Sequence, residues 1–126
     1  IHVEVPPVEF DALTSRKQEE TSAEIKKRVN AARKIQQERF KGTAITCNAN
    51  IPASRLEQDC PLDEAAKSLL KNAFERFGLS ARAYDRVLKV ARTIADLDHS
   101  ETIRAPHVAE AVQYRSLDRK YWTREL

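Results

Sequence analysis

The feature that most constrains the fold is the segment 78–97, in which a glycine, a serine and a long apolar stripe follow one another. Gly78 suits the left-handed end of one helix. The hydroxyl of Ser80 suits the N-cap of the next helix, because it can accept a backbone N–H that would otherwise be free. Apolar side chains then recur at helical spacing: Tyr84, Val87, Leu88, Ala91, Ile94 and Ala95. The segment therefore predicts two helices joined by a tight turn.

Arg82 lies in the first turn of the second predicted helix, where exposed N–H groups already favour an anion. A guanidinium there opposes the helix dipole, so helix formation does not explain it. Its five donors do fit phosphate oxygens. The alternative is that Arg82 is one of 22 basic residues on a solvated surface, and spacing alone favours that alternative.

Three further segments predict helices. Thr21 and Glu24 have the spacing of a capping box, and Gly42 suits the end of the helix that follows. Apolar residues recur at helical spacing in all three segments: Ile25, Val29, Ala32, Ile35 and Phe40; Leu62, Ala66, Leu69, Leu70, Ala73, Phe74 and Phe77; Val108, Ala111 and Val112. The prediction is an all-α helical bundle with main helices near 21–40, 61–77, 81–97 and 106–117, in which Phe74 and Leu88 are buried.

The remaining segments predict little regular structure. His2 to Val5 alternate like a short strand, which Pro6 ends, and this extended N-terminal segment is expected to be loose. Phe10 and Leu13 are expected to dock on the bundle. Residues 43–60 predict a connection with Asn turns and a short helical turn after Pro52, and we predict no chemistry for it.

Composition places the chain among helical globular proteins. Its 126 residues suffice for one domain with a modest core, with 41% hydrophobic and 33% charged residues. No stretch approaches the ~18 uninterrupted apolar residues of a membrane span. We expect a cytoplasmic protein with no membrane partner.

The cysteines and histidines do not form a recognisable metal or catalytic motif. Cys47 and Cys60 are outside any C-x-x-C pair, and no histidine lies at ligand spacing from either. We expect two reduced cysteines, no metal site, and no catalytic histidine among His2, His99 and His107.

Positive charge is concentrated in one region. Residues 16–41 contain nine basic and four acidic side chains, a net charge of about +5, whereas the whole chain has a net charge of +3. This surface is predicted to face DNA or a neighbouring subunit, and the alternative is a solvated helix face. The residues predicted to make such contacts are Lys26, Lys27, Arg33 and Lys34.

Residues 79–86 (LSARAYDR) and 91–97 (ARTIADL) resemble the sensor-2 helix of AAA+ ATPases. They are most similar to the magnesium-chelatase-like family, of the ComM/YifB competence type. Residues 107–119 (HVAEAVQYRSLDR) and 1–8 (IHVEVPPV) are similar to the same family, so the resemblance covers the chain from residue 1 to about residue 119.

The resemblance implies a domain organisation and a site. Residues 1–20 would be the end of the ATPase core strand and a linker, 21–119 a helical lid domain with a helix before sensor 2, and 120–126 a tail. Arg82 would contact phosphate and serve catalysis, with Ser80 as a second nucleotide-binding residue. The lid would act in a ring-forming, hexameric motor that does DNA branch migration or helicase work in competence and recombination.

The chain contains no G-x-x-x-x-G-K-[ST] loop, and its two glycines, Gly42 and Gly78, lie too far apart in the sequence to make one. We therefore expect a lid excised from a longer ATPase, with no complete catalytic site of its own. ATP and Mg²⁺ would be held by an N-terminal ATPase core, and neither is expected to bind this chain alone. The alternatives are the lid of a true magnesium chelatase subunit and a free-standing helical nucleic-acid-binding module.

Overall fold

The computed structural model describes residues 1–14 and 19–122. The α-helices are α1 (Phe10–Thr14), α2 (Ser22–Arg39), α3 (Leu56–Asp59), α4 (Glu64–Phe77), α5 (Ala81–Leu97) and α6 (Ala105–Trp122). Two short 3₁₀ helices, Asn48–Asn50 and Ala53–Arg55, lie in the connection between α2 and α3. Within these described ranges the only β-type pairing is an isolated parallel bridge between Leu62 and Ile103. The all-α prediction is confirmed.

Local capping explains where the main helices begin. Glu24 N–H donates to Thr21 Oγ1 over 3.2 Å and Thr21 N–H donates to Glu24 Oε2 over 3.1 Å, which completes the predicted capping box of α2. Asp63 Oδ1 accepts from the backbone of α4 over 2.7 Å. At the end of α4, Gly78 has a φ of +58°, the left-handed conformation that glycine adopts without strain.

The core lies between α4, α5 and α6, and α2 packs across α5. The apolar face of α5 supplies Val87, Leu88, Ala91 and Ala95, all buried. The connection between α2 and α4 closes one side of the core with buried Phe40, Ile51, Leu56 and Cys60. This connection therefore does more than join two helices, because it contributes four core side chains.

Phe74 was predicted to be buried, but 38% of it is exposed. The buried residues of α4 are Ala66, Leu70 and Ala73, so Phe74 lies on the flank of the buried face. Its ring packs edge-on against Tyr84, with 5.9 Å between the ring centroids. The prediction for Leu88 is confirmed, since it is 4% exposed.

One N-terminal prediction is wrong, since Phe10 and Leu13 in α1 are exposed rather than docked. Residues 1–9, expected to be extended, form no regular secondary structure. In α2, Ile25 and Val29 are exposed as well, because the buried residues of this helix, Ala32 and Gln36, both lie in its second half.

At the C-terminus, α6 begins at Ala105 and continues to Trp122, beyond the predicted end at 117. The predicted tail, 120–126, thus begins inside a helix, and its last four residues lie outside the described residues, as does Arg16 of the basic region.

Leu88→Ala should lower the free energy of unfolding by about 2–5 kcal/mol, since it removes a buried side chain and leaves a cavity. Thermal or urea denaturation followed by circular dichroism measures this change. Phe74→Ala is the control and should cost less, because much of that ring is already in water. Equal costs for the two variants would contradict this account of the core.

Candidate functional site

The predicted site residue Arg82 lies at an exposed end of the bundle. Ser80 is the N-cap of α5, and its Oγ accepts the backbone N–H of Ala83 over 3.1 Å. Arg82 follows in the first turn and is exposed. It borders an open groove of about 540 Å³ lined by Ala49, Arg82, Asp85, Arg86, Lys89 and Val90.

The groove is positively charged. Arg82, Arg86 and Lys89 are four and then three residues apart, so the three cations lie along one face of α5. Asp85 is the single carboxylate among the lining residues. Lys89 Nζ donates to the carbonyl oxygen of Ala49 over 3.3 Å, which joins α5 to the first 3₁₀ helix. The arrangement can accept an anionic group and offers two exposed guanidiniums to it.

The sequence predicted Arg82 as a site residue and did not place Arg86 beside it. The helical spacing of 82, 86 and 89 was a signal for a shared face. Nothing in the sequence indicates that Ala49 lines the groove, because this residue lies in a 3₁₀ helix 40 residues before Lys89. Ser80 remains a predicted nucleotide-binding residue, and its Oγ also serves as the cap of α5.

A second polar cluster, absent from the sequence predictions, is buried near the C-terminal end of α5. The carboxylate of Asp96 is fully buried and accepts from both terminal nitrogens of Arg39, over 2.5 and 2.9 Å. Arg92 Nε donates to the same carboxylate over 3.1 Å, and Asn48 Nδ2 donates over 2.9 Å. These contacts join α2, the first 3₁₀ helix and α5.

Arg92 extends this cluster towards α6. Its two terminal nitrogens donate to the carbonyl oxygens of Glu101 and Ser100, over 2.8 and 2.6 Å. Burial lowers the pKa of Arg92, whereas the hydrogen bonds to Asp96 raise the pKa of Arg39. Arg92 is not among the residues predicted for the site, and its side chain is only 1% exposed.

Two signals could have revealed the cluster. Leu88, Arg92 and Asp96 succeed one another at four-residue spacing, so the arginine and the aspartate continue a buried row of α5. Opposite charges four residues apart on such a row indicate an ion pair. Asn48 gave no comparable signal, since asparagine in a connection is most simply a turn residue.

The buried side chain of His107 joins the start of α6 to the end of α5. Its Nδ1 accepts the backbone N–H of Arg104 over 2.9 Å, at the start of α6, and its Nε2 contacts Asp98 Oδ2 over 2.8 Å. The hydrogen bond from His107 lowers the pKa of Asp98.

Both cysteines are free thiols, as predicted, with Cys47 half-buried and Cys60 buried. Burial raises the pKa of the Cys60 thiol to about 11. Within residues 1–14 and 19–122, His, Cys, Asp and Glu side chains form no group of three that could hold a metal ion. No helix in the same ranges has the length and apolar character needed to cross a membrane.

The four predicted contact residues of α2, Lys26, Lys27, Arg33 and Lys34, are all exposed. They lie on a different surface from the Arg82 groove, since none of them lines it. The structure therefore presents two separate basic surfaces.

The sequence that forms this bundle matches a known family. The family model for the C-terminal domain of magnesium chelatase subunit ChlI matches residues 19–115, and the chain belongs to this family.

Within the family, the chain is a lid domain of the ComM/YifB type. It is 44% identical over 100 residues to competence protein ComM of Haemophilus influenzae and 43% identical over 100 residues to the uncharacterized protein YifB of Escherichia coli. It is 30% identical over 96 residues to the uncharacterized protein Rv2897c of Mycobacterium tuberculosis. These matches cover 79%, 79% and 76% of this chain and 19% of each relative.

Arg92→Ala should lower the free energy of unfolding by about 3–5 kcal/mol, because it removes one partner of a buried ion pair and leaves two backbone carbonyls without their donors. Urea denaturation provides the measurement. Arg86→Ala, on the exposed face of the same helix, should change stability by less than about 0.5 kcal/mol. An unchanged free energy of unfolding in the Arg92→Ala variant would show that the cluster does not hold the bundle together.

At pH 8, Cys47 should react with a thiol reagent such as Ellman's within minutes, and Cys60 should react only as fast as the protein unfolds. A pKa of about 11 leaves about one Cys60 thiol in a thousand as thiolate at that pH. The Cys47→Ser variant isolates the reaction of Cys60. Rapid labelling of that folded variant would contradict the buried placement.

Proposed function

We propose that this lid domain serves an AAA+ ATPase and that Arg82 contacts the phosphates of an ATP bound by the ATPase core. The observation that carries the proposal is the state of Arg82: its guanidinium is exposed and forms no hydrogen bond or ion pair within the described residues. Arg86 and Lys89 make its surroundings positive.

The rigidity of α5 supports this role. Its far end is fixed by Asp96 and Arg92, and its middle packs in the core through Leu88 and Ala91. An arginine on such a helix moves together with the whole lid. Since a γ-phosphate offers contacts that a diphosphate lacks, Arg82 would favour one lid angle with ATP and another with ADP.

Arg82 would also act on the chemistry. Negative charge spreads over the transferred phosphoryl group as the bond to the leaving oxygen breaks. A guanidinium already in place stabilises that charge without reorganisation. The fork of donors binds two phosphate oxygens at once, which a lysine cannot do.

The other parts of the ATPase would come from outside this chain, which spans 19% of the length of its curated relatives. The core would supply the phosphate-binding loop and the residues that hold Mg²⁺. We further propose a hexameric ring in the cytoplasm that moves branched DNA. The support for that task is the similarity to a relative whose name refers to competence, and the alternative is the metal insertion of a true magnesium chelatase.

In the full-length ATPase, Arg82→Ala should lower ATP turnover by about ten- to a thousand-fold, since the loss of one donor to a developing charge costs about 2–4 kcal/mol. Arg82→Lys should restore little of it, because a point charge lacks the bidentate fork. A steady-state phosphate-release assay at saturating ATP gives both values.

Arg104→Ala is the matched control, since Arg104 is also exposed but lies at the start of α6 rather than in the groove. It should leave turnover unchanged. Arg86→Ala should reduce turnover less than Arg82→Ala, because Arg86 is one turn further from the start of α5. Normal turnover in the Arg82→Ala protein would show that Arg82 is only a surface arginine and would contradict the proposal.

A further inference from the structure

The net positive charge of the chain resides entirely in α2. This helix has six basic and two acidic side chains, a net charge of +4, whereas the remaining residues have sixteen basic and seventeen acidic side chains, a net charge of −1. The excess is therefore a property of one helix and not of the surface as a whole.

Three of the eight charged side chains of α2 form structural contacts. Arg28 pairs with Glu20, and Arg39 pairs with Asp96. The carboxylate of Glu24 completes the capping box. Four cations form no ion pair within the described residues: Lys26, Lys27, Arg33 and Lys34. One carboxylate, Glu38, also remains, and it lies one turn beyond Lys34.

The four free cations share the outward side of the helix. Lys26 and Arg33 are seven residues apart, and so are Lys27 and Lys34, which makes two rows about 10 Å long at 1.5 Å per residue. The buried residues of α2, Ala32 and Gln36, mark the opposite side. Between the two rows lie neutral polar residues, Asn30 and Gln37. We call this surface the α2 basic face.

The α2 basic face is held rigidly by the second half of the helix. Arg39 is bonded to Asp96, Gln36 Oε1 accepts the backbone N–H of Asn48 over 3.0 Å, and Phe40 is in the core. A partner therefore meets a preorganised charge array, and only the lysine and arginine side chains lose freedom on binding.

We propose that the α2 basic face binds the phosphate backbone of duplex DNA. A protein partner would require apolar or aromatic side chains at the centre of the contact, and this face has none, since Ile25 and Val29 lie on the side nearer to Ala32. Binding to the phosphate backbone of DNA requires only cations and polar side chains in a fixed array, and it has no sequence preference. The inference rests on the charges of α2 and is independent of the role of Arg82.

The test measures binding of the chain to a fluorescent duplex of about 20 base pairs, without nucleotide, by anisotropy between 50 and 200 mM salt. Four phosphate contacts predict a slope of about −3 to −4 for log affinity against log salt, which is a roughly 100-fold loss over that range. The Lys26→Glu, Lys27→Glu, Lys34→Glu triple variant should reduce the slope by about 3 and the affinity at low salt at least tenfold.

The matched control reverses three exposed cations of α4, with Lys67→Glu, Lys71→Glu and Arg76→Glu. Both triple variants have the same net charge, so a difference between them reports the location of the charge. The control should bind within threefold of the unmodified chain. A milder Lys→Gln triple at 26, 27 and 34 should lose affinity in the same direction, and circular dichroism verifies that each variant is folded.

Three results would overturn the proposal: equal losses in the two triple variants, no duplex binding at 50 mM salt, or tighter binding to single-stranded DNA of the same sequence. Binding to polyglutamate as tight as binding to duplex would also overturn it, and would assign the face to an acidic protein surface. Normal ATP turnover in the Arg82→Ala protein leaves this inference untouched.

Discussion

The carboxylate of Asp96 is the point at which the separate segments of the bundle meet. It receives Arg39 from α2, Asn48 from the first 3₁₀ helix and Arg92 from its own helix. Charges buried in this way pay a large desolvation penalty, so such a cluster adds less to stability than its short distances suggest. Its main effect is on geometry, since hydrogen bonds fix the angle and position of α2 on α5 in a way that apolar contacts alone do not.

The course of α5 was predictable because its determinants are local. Gly78 and Ser80 are adjacent to the helix they begin, and the structure places its ends at Ala81 and Leu97, close to the predicted 81–97. The apolar stripe identified the buried face for the same reason. Phe74 was misplaced because helical spacing gives a face about a third of a turn wide, and only packing decides which residue lies on its flank.

The site was predictable in part. The position of Arg82 in a first turn follows from the cap that precedes it. The groove around Arg82 could not be predicted, because Ala49 forms part of it. The spacing of residues within one helix does not indicate a contact between residues 40 positions apart. The buried cluster shows the same limit: the pairing of Arg39 with Asp96 spans 57 residues, and Arg39 looks like an ordinary surface charge in the sequence.

The unburied first half of α2 has a mechanical consequence. Residues 21–30 extend about 15 Å along the helix axis from the part of α2 that Asp96 holds. Because the second half of α2 is hydrogen-bonded to Asp96 and Asn48, any change in the angle between α2 and α5 is magnified along the exposed first half of the helix. The Thr21 end of α2 therefore moves furthest when that angle changes, and residues near Arg39 move least.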